Sequence, residues 1–85
     1  MKIAHNRADE CFEALVEGGI ASLEYEITGK TIRLLLVKMP LESHERGVGG
    51  RLTDAALDFA SKQLLRVTTI STHIGDYLRG ERDDF

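Results

Sequence analysis

The strongest constraint on this chain is a single change of hydrophobic period, which falls around its only proline, Pro40. Before it, apolar and polar residues alternate: Phe12, Ala14 and Val16 in one run, then Leu23, Tyr25 and Ile27 against Glu24, Glu26 and Thr28. A period of two places alternate side chains on opposite faces of a strand, so Cys11–Val16 and Ile20–Ile27 read as half-buried strands. Gly18-Gly19 and Gly29-Lys30 bound the second run, and such short glycine connections predict antiparallel hairpins. The third run, Ile32 to Val37, is almost continuously apolar, which predicts a central strand covered on both faces.

Pro40 lacks a backbone donor and ends the ladder, and the polar stretch Leu41 to Arg46 follows as a loop. Beyond it Val48, Leu52, Ala55, Ala56, Phe59 and Ala60 recur at three- and four-residue spacings, with Arg51, Asp54, Asp58 and Lys62 expected to face outward. This predicts the main helix, from Val48 to Gln63. Arg66 to Ile70, rich in Val, Thr and Ile, suits a strand parallel to the third, because a crossover helix precedes it. Ser71 or Thr72 can cap a last short helix carrying Ile74, Tyr77 and Leu78, and the charged tail Gly80 to Phe85 is expected to fray. The expected fold is α+β: three antiparallel strands, a main helix, a parallel fourth strand and a short C-terminal helix.

At 85 residues the chain has room for one domain, spanning 1–85. Cys11 is its single cysteine, so neither an internal disulfide nor a thiolate zinc cluster can form, and a reducing cytoplasm suits the composition. Cys11 reads as a small apolar strand residue, His5 has no ligands at metal spacing, and Asp83-Asp84 reads as part of a solvated tail. A net charge of −3 argues against a general nucleic-acid or membrane-surface binder. No stretch has the length of a membrane span, and the start Met1-Lys2-Ile3-Ala4-His5-Asn6 lacks the apolar block of a signal peptide, so the chain is expected to be mature and soluble.

Arg46-Gly47-Val48-Gly49-Gly50-Arg51 lies between the apolar third strand and the main helix. Glycines there let successive N–H groups approach a ligand, the helix dipole adds partial positive charge, and Arg46 and Arg51 add whole charges. Such a junction suits a phosphate; it also suits a plain glycine-rich helix start that binds nothing.

The order of strand, proline, polar loop, glycine junction and Leu-Thr-Asp-Ala-Ala-Leu-Asp-Phe-Ala helix resembles the GNAT acetyltransferase superfamily. There a Q/R-x-x-G-x-G/A loop binds the pyrophosphate of acetyl-CoA, and the corresponding run here is His44-Glu45-Arg46-Gly47-Val48-Gly49. His44 departs from the pattern's first position, and Glu45 stands where short members usually carry another glycine. The chain is most similar to the short single-domain branch: Gly19-Ile20-Ala21-Ser22-Leu23-Glu24-Tyr25 matches its strand, and Asp76-Tyr77-Leu78 its final helix. The resemblance implies a cofactor site over Val37, Lys38 and Met39, whose backbone would pair with the pantetheine arm, and over His44 to Arg51.

That branch usually carries Pro-Thr-Cys-Ser after the last strand, with its cysteine suspected to be catalytic, and a His-Thr pair before the loop. Thr69-Ile70-Ser71-Thr72 and Leu36-Val37 replace them, which puts Ser71 at the cysteine. A serine nucleophile needs a positioned base, and His73 is the nearest candidate; a helix turn beginning there would separate the two. His73 also reads as an ordinary surface or capping histidine. Tyr77 is the candidate acid for the leaving thiolate, or else a half-buried packing aromatic.

The resemblance implies transfer of an acetyl group from acetyl-CoA to an unspecified amine, with no metal. The alternatives are a CoA-binding module that does not catalyse and a small protein-interaction domain, since fold alone does not settle function.

Overall fold

In the computed structural model, which describes residues 1–85, the alternating half of the chain forms four antiparallel strands. They are β1 (Ile3–Asn6), β2 (Cys11–Val16), β3 (Gly19–Thr28) and β4 (Thr31–Lys38). Helix α1 (Val48–Lys62), strand β5 (Arg66–Thr69) and helix α2 (Thr72–Leu78) follow. The strands lie in sequence order in one five-stranded sheet, with β5 parallel to β4 and the other pairings antiparallel. The expected α+β class is correct, with one strand more than the sequence reading gave.

The added strand is β1. Its inward positions are Ile3, opposite Ala14, and His5, opposite Phe12. Only one of the two is aliphatic, so the alternation is invisible to a hydrophobic count. His5 is not part of a loose polar start: its ring stacks on Phe12 at 4.0 Å, and its Nε2 lies 2.7 Å from the Tyr25 hydroxyl. Desolvation, with the Arg7 charge adding to it, holds the His5 imidazolium pKa below its ordinary value of 6.5.

β4 is an interior strand, as expected, paired with β3 on one side and β5 on the other, but only one of its faces is covered; the middle strand of the five is β3. The continuous apolar run Ile32 to Val37 has a different cause from the expected double cover. Glu24 pairs with Leu36 but Tyr25 pairs with Leu34, so Leu35 is an extra residue and β4 carries a bulge there. The bulge resets the alternation, so Ile32, Leu34 and Val37 serve the helix-covered face while Leu36, 39% exposed, serves the other.

One face of the sheet carries the core. Phe12, Ala14, Val16, Ala21, Leu23, Tyr25, Ile32 and Leu34 meet Val48, Leu52, Ala56 and Ala60 of α1 and Ile74 of α2. Leu23, Ile32, Leu34, Leu52 and Ile74 are 0% exposed, and each contributes about 1.5–3 kcal/mol of transfer free energy. The opposite face carries the exposed Leu15 and Ile20 and the ion pairs Glu24–Lys38 (2.8 Å) and Glu26–Arg33 (3.3 Å). No helix is long and apolar enough to cross a membrane.

Two helix ends set directions. After α1 the Leu65 N–H bonds to the Ala60 carbonyl and the Leu64 N–H to that of Ser61, a Schellman turn with Leu64 in the left-handed region at φ 56°. After α2 the same pattern recurs: Glu81 N–H to Asp76, Gly80 N–H to Tyr77, with Gly80 at φ 74°. The second turn sends the last residues back toward the start of α1, so the tail expected to fray is docked.

Candidate functional site

Strands β4 and β5 are parallel, and their paired register ends at Leu34 opposite Thr69. The Thr69 hydroxyl closes the ladder by donating to the Leu34 carbonyl at 2.7 Å. Past that point β4 runs on through its bulge to Lys38 while β5 stops, which leaves the β5-side edge of Leu35 to Lys38 unpaired. The chain leaves β4 here for α1, and leaves β5 here for α2. Both helix N-termini therefore sit at the carboxyl end of the parallel pair, where open α/β sheets form crevices.

The junction glycines have three different local reasons. Gly47 precedes the first turn of α1 at φ 79°, ψ 3°, with open space around the site of a Cβ; it is required for conformation, not clearance. At Gly49 a Cβ would stand 2.9 Å from the Phe85 ring, and at Gly50 it would stand 2.8 Å from the Tyr77 ring. Val48 is 1% exposed and turns its side chain into the core, so only its backbone belongs to the junction.

The helix opens without a side-chain cap and without an acidic residue in its first turn. Its N–H groups take main-chain oxygens: Gly47 donates to the Asp84 carbonyl at 3.3 Å and Gly49 to the Phe85 carbonyl at 3.1 Å. These donors point out of the helix at oxygen acceptors, as they would toward a phosphate. Arg46 and Arg51 are exposed beside them; Arg46 reaches Asp84 at 4.0 Å. His44 is exposed, whereas the Glu45 carboxylate turns away from the junction and accepts the Glu17 N–H at 2.9 Å. Of the β4 candidates, Val37 packs inward, Lys38 is drawn to Glu24 on the opposite face, and Met39 is 37% exposed.

Ser71 caps α2, its Oγ accepting the Ile74 N–H at 3.2 Å. Because the helix begins at Thr72, His73 is carried away from Ser71; its Nδ1 lies 2.6 Å from Arg82 Nη1 and its ring stacks on Phe85 at 6.0 Å. Tyr77 lies against Gly50, with its hydroxyl donating to Asp54 Oδ1 at 2.9 Å. Burial first, then the Asp54 carboxylate, push its pKa above the ordinary 10, so the phenol holds its proton throughout the neutral range. Cys11 is buried on β2, remote in the sheet order from this end, with its thiol pushed up by burial and by Glu13.

Tyr77 and the junction are therefore adjacent, and Ser71 and His73 share the end of the sheet without forming a pair. The residue at the centre of this cluster is Phe85, which touches the junction and lies beside His73, Tyr77 and Arg82. Sequence reading missed it, along with Asp54 and Asp84. The available signal was a lone aromatic closing an acidic segment that a helix-ending glycine, Gly80, could turn back. No protein-family model, curated protein or solved structure matches this chain.

Proposed function

We propose that the junction Arg46–Arg51 binds the diphosphate of acetyl-CoA and that the chain transfers the acetyl group to an amine, as the resemblance to the short GNAT acetyltransferases implies. The observation that carries the reading is the direction of the Gly47 and Gly49 N–H groups. Both already hold oxygen acceptors, beside two exposed arginines, and the β5-side edge of β4 past Leu34 is unpaired. A pantetheine arm could extend that edge as an added strand, through the amides of Leu35 to Met39.

In this account the amine nitrogen attacks the thioester carbonyl, the C–S bond breaks, and the nitrogen gives up its extra proton to water. A β4 N–H near the Leu35 bulge polarises the carbonyl, and Tyr77 gives its proton to the thiolate and is then reprotonated from water. Ser71 is not a nucleophile, because its oxygen is committed to the α2 cap and no base reaches it. His73, paired with Arg82, has no part in the transfer.

A CoA-binding module without catalysis is the second reading, favoured by the engagement of Tyr77 with Asp54 and of Ser71 with Ile74. Calorimetric titration with CoA, ATP and orthophosphate tests the common part: the account expects CoA to bind in preference to the other two. Product formation from acetyl-CoA with a mixed amine panel then separates transfer from binding alone. No affinity for CoA would remove both readings and leave an interaction domain.

A further inference from the structure

We propose that the segment Asp83–Phe85 is an autoinhibitory plug, docked on the same N–H groups that would take the CoA diphosphate and released when the cofactor binds. The inference rests on the diphosphate reading of the junction and adds a regulatory element to it. Three features of that site are occupied at once by the tail. The Asp84 and Phe85 carbonyls hold the Gly47 and Gly49 donors at 3.3 and 3.1 Å. The Asp84 carboxylate faces Arg46 at 4.0 Å, standing where an anionic oxygen of a ligand would be expected. The Phe85 ring lies over Gly49, filling the space that the missing Cβ leaves for close approach.

The docking is directed and reversible in its chemistry. Direction comes from the Gly80 turn, whose left-handed backbone reverses the chain after α2. Reversibility comes from what holds the tail. Its ion pairs, Arg46–Asp84 and Arg82–Asp84, are mostly exposed, and such pairs are weak and screened by salt. The main anchor is the half-buried Phe85 ring, packed beside His73, Tyr77 and the Arg82 guanidinium. Phe85 packs against the edge of the core but is only half-buried there, and none of the fully buried core side chains belongs to the tail, so it can leave while the fold stays. A plug that occupies the site most of the time weakens apparent cofactor affinity in proportion to its occupancy.

The test titrates CoA into the full chain, into Phe85→Ala, which removes the anchor, and into Asp84→Asn, which removes the charge pair. The signals of the Phe85 ring are followed by NMR in the wild-type chain. The expected result is that Phe85→Ala binds CoA about five- to tenfold more tightly and Asp84→Asn about two- to threefold more tightly. CoA should also move the wild-type Phe85 ring signals to those of a mobile peptide. Equal affinities in all three proteins, with CoA still perturbing the Gly47 and Gly49 amides, would overturn the plug and leave the diphosphate reading in place. No CoA binding to any of them would overturn the diphosphate reading and with it the plug.

Discussion

The Gly49 N–H donates to the Phe85 carbonyl at 3.1 Å, and the Phe85 ring occupies the space a Gly49 side chain would need. A residue from the last turn of sequence thus sits on the first turn of the main helix, 36 positions earlier by the numbering. The contact joins the two questions this fold raises: what the glycine junction holds, and what the tail is for.

Tyr77→Phe is expected to lower turnover about 10²-fold with CoA affinity nearly constant, because it removes a proton donor and no cofactor contact. Loss of the exposed bond to Asp54 should cost only about 0.5 kcal/mol. Steady-state kinetics beside a CoA titration measures both. Unchanged turnover would leave Tyr77 as a packing residue against Gly50.

Ser71→Ala separates stability from chemistry. The Ser71 oxygen caps α2, so its loss should destabilise the protein by about 1 kcal/mol in urea melts while turnover at saturating substrate stays within about twofold. A covalent acetyl group on Ser71, found by mass spectrometry after incubation with acetyl-CoA, would contradict the direct-attack mechanism.

His5 predicts an acid-sensitive edge to stability. Its folded pKa lies below the ordinary 6.5, so the unfolded chain takes up a proton that the folded chain resists, and stability must fall as pH drops through and below about 6.5. His5→Gln should flatten the urea midpoint across pH 5 to 7.5. At the alkaline end the sign reverses. Cys11, Tyr25 and Tyr77 are all raised in the fold, so the unfolded chain releases protons first and stability declines as pH climbs past their ordinary values of 9.0 to 10.0.

Leu64→Gly should stabilise the protein by roughly 0.5 kcal/mol. Leu64 holds a left-handed conformation and is 84% exposed, so the relief of about 1 kcal/mol of backbone strain outweighs what little packing is lost and the added entropy of the unfolded chain. A lower thermal midpoint for the glycine variant would show that the side chain supports the turn after α1.

The parts of the fold legible in the sequence are those whose side chains report their own environment. Leu23 and Tyr25 alternate with Glu24 and Glu26 because β3 has one covered face, and Leu52 and Ala56 repeat at helical spacing because α1 lies on that face. Where a backbone event decides, the pattern misleads. One inserted residue, Leu35, made a one-face strand look covered on both sides, and His5 concealed β1 because an inward histidine counts as polar. The candidate site divides in the same way. Its glycines and arginines were legible as residue types, but not that Gly50 clears the Tyr77 ring, that Tyr77 answers to Asp54, or that carbonyls from the tail fill the junction. Carbonyl acceptors belong to every residue, so no sequence motif marks them.

The central claim is that the start of α1 and the free edge of β4 form one cofactor site. Residue-resolved NMR with acetyl-CoA tests it directly, with Gly49→Asp as the paired variant. The account predicts that the amides of Gly47 to Arg51 and of Leu35 to Met39 shift together with a single affinity. It also predicts that Gly49→Asp, compared in the Phe85→Ala background where no ring is left to displace, binds at least tenfold more weakly than Phe85→Ala alone, about 1.4 kcal/mol. Shifts confined to other surfaces, such as the exposed Leu15 and Ile20 face, or an affinity of the folded Gly49→Asp/Phe85→Ala protein equal to that of Phe85→Ala, would contradict it.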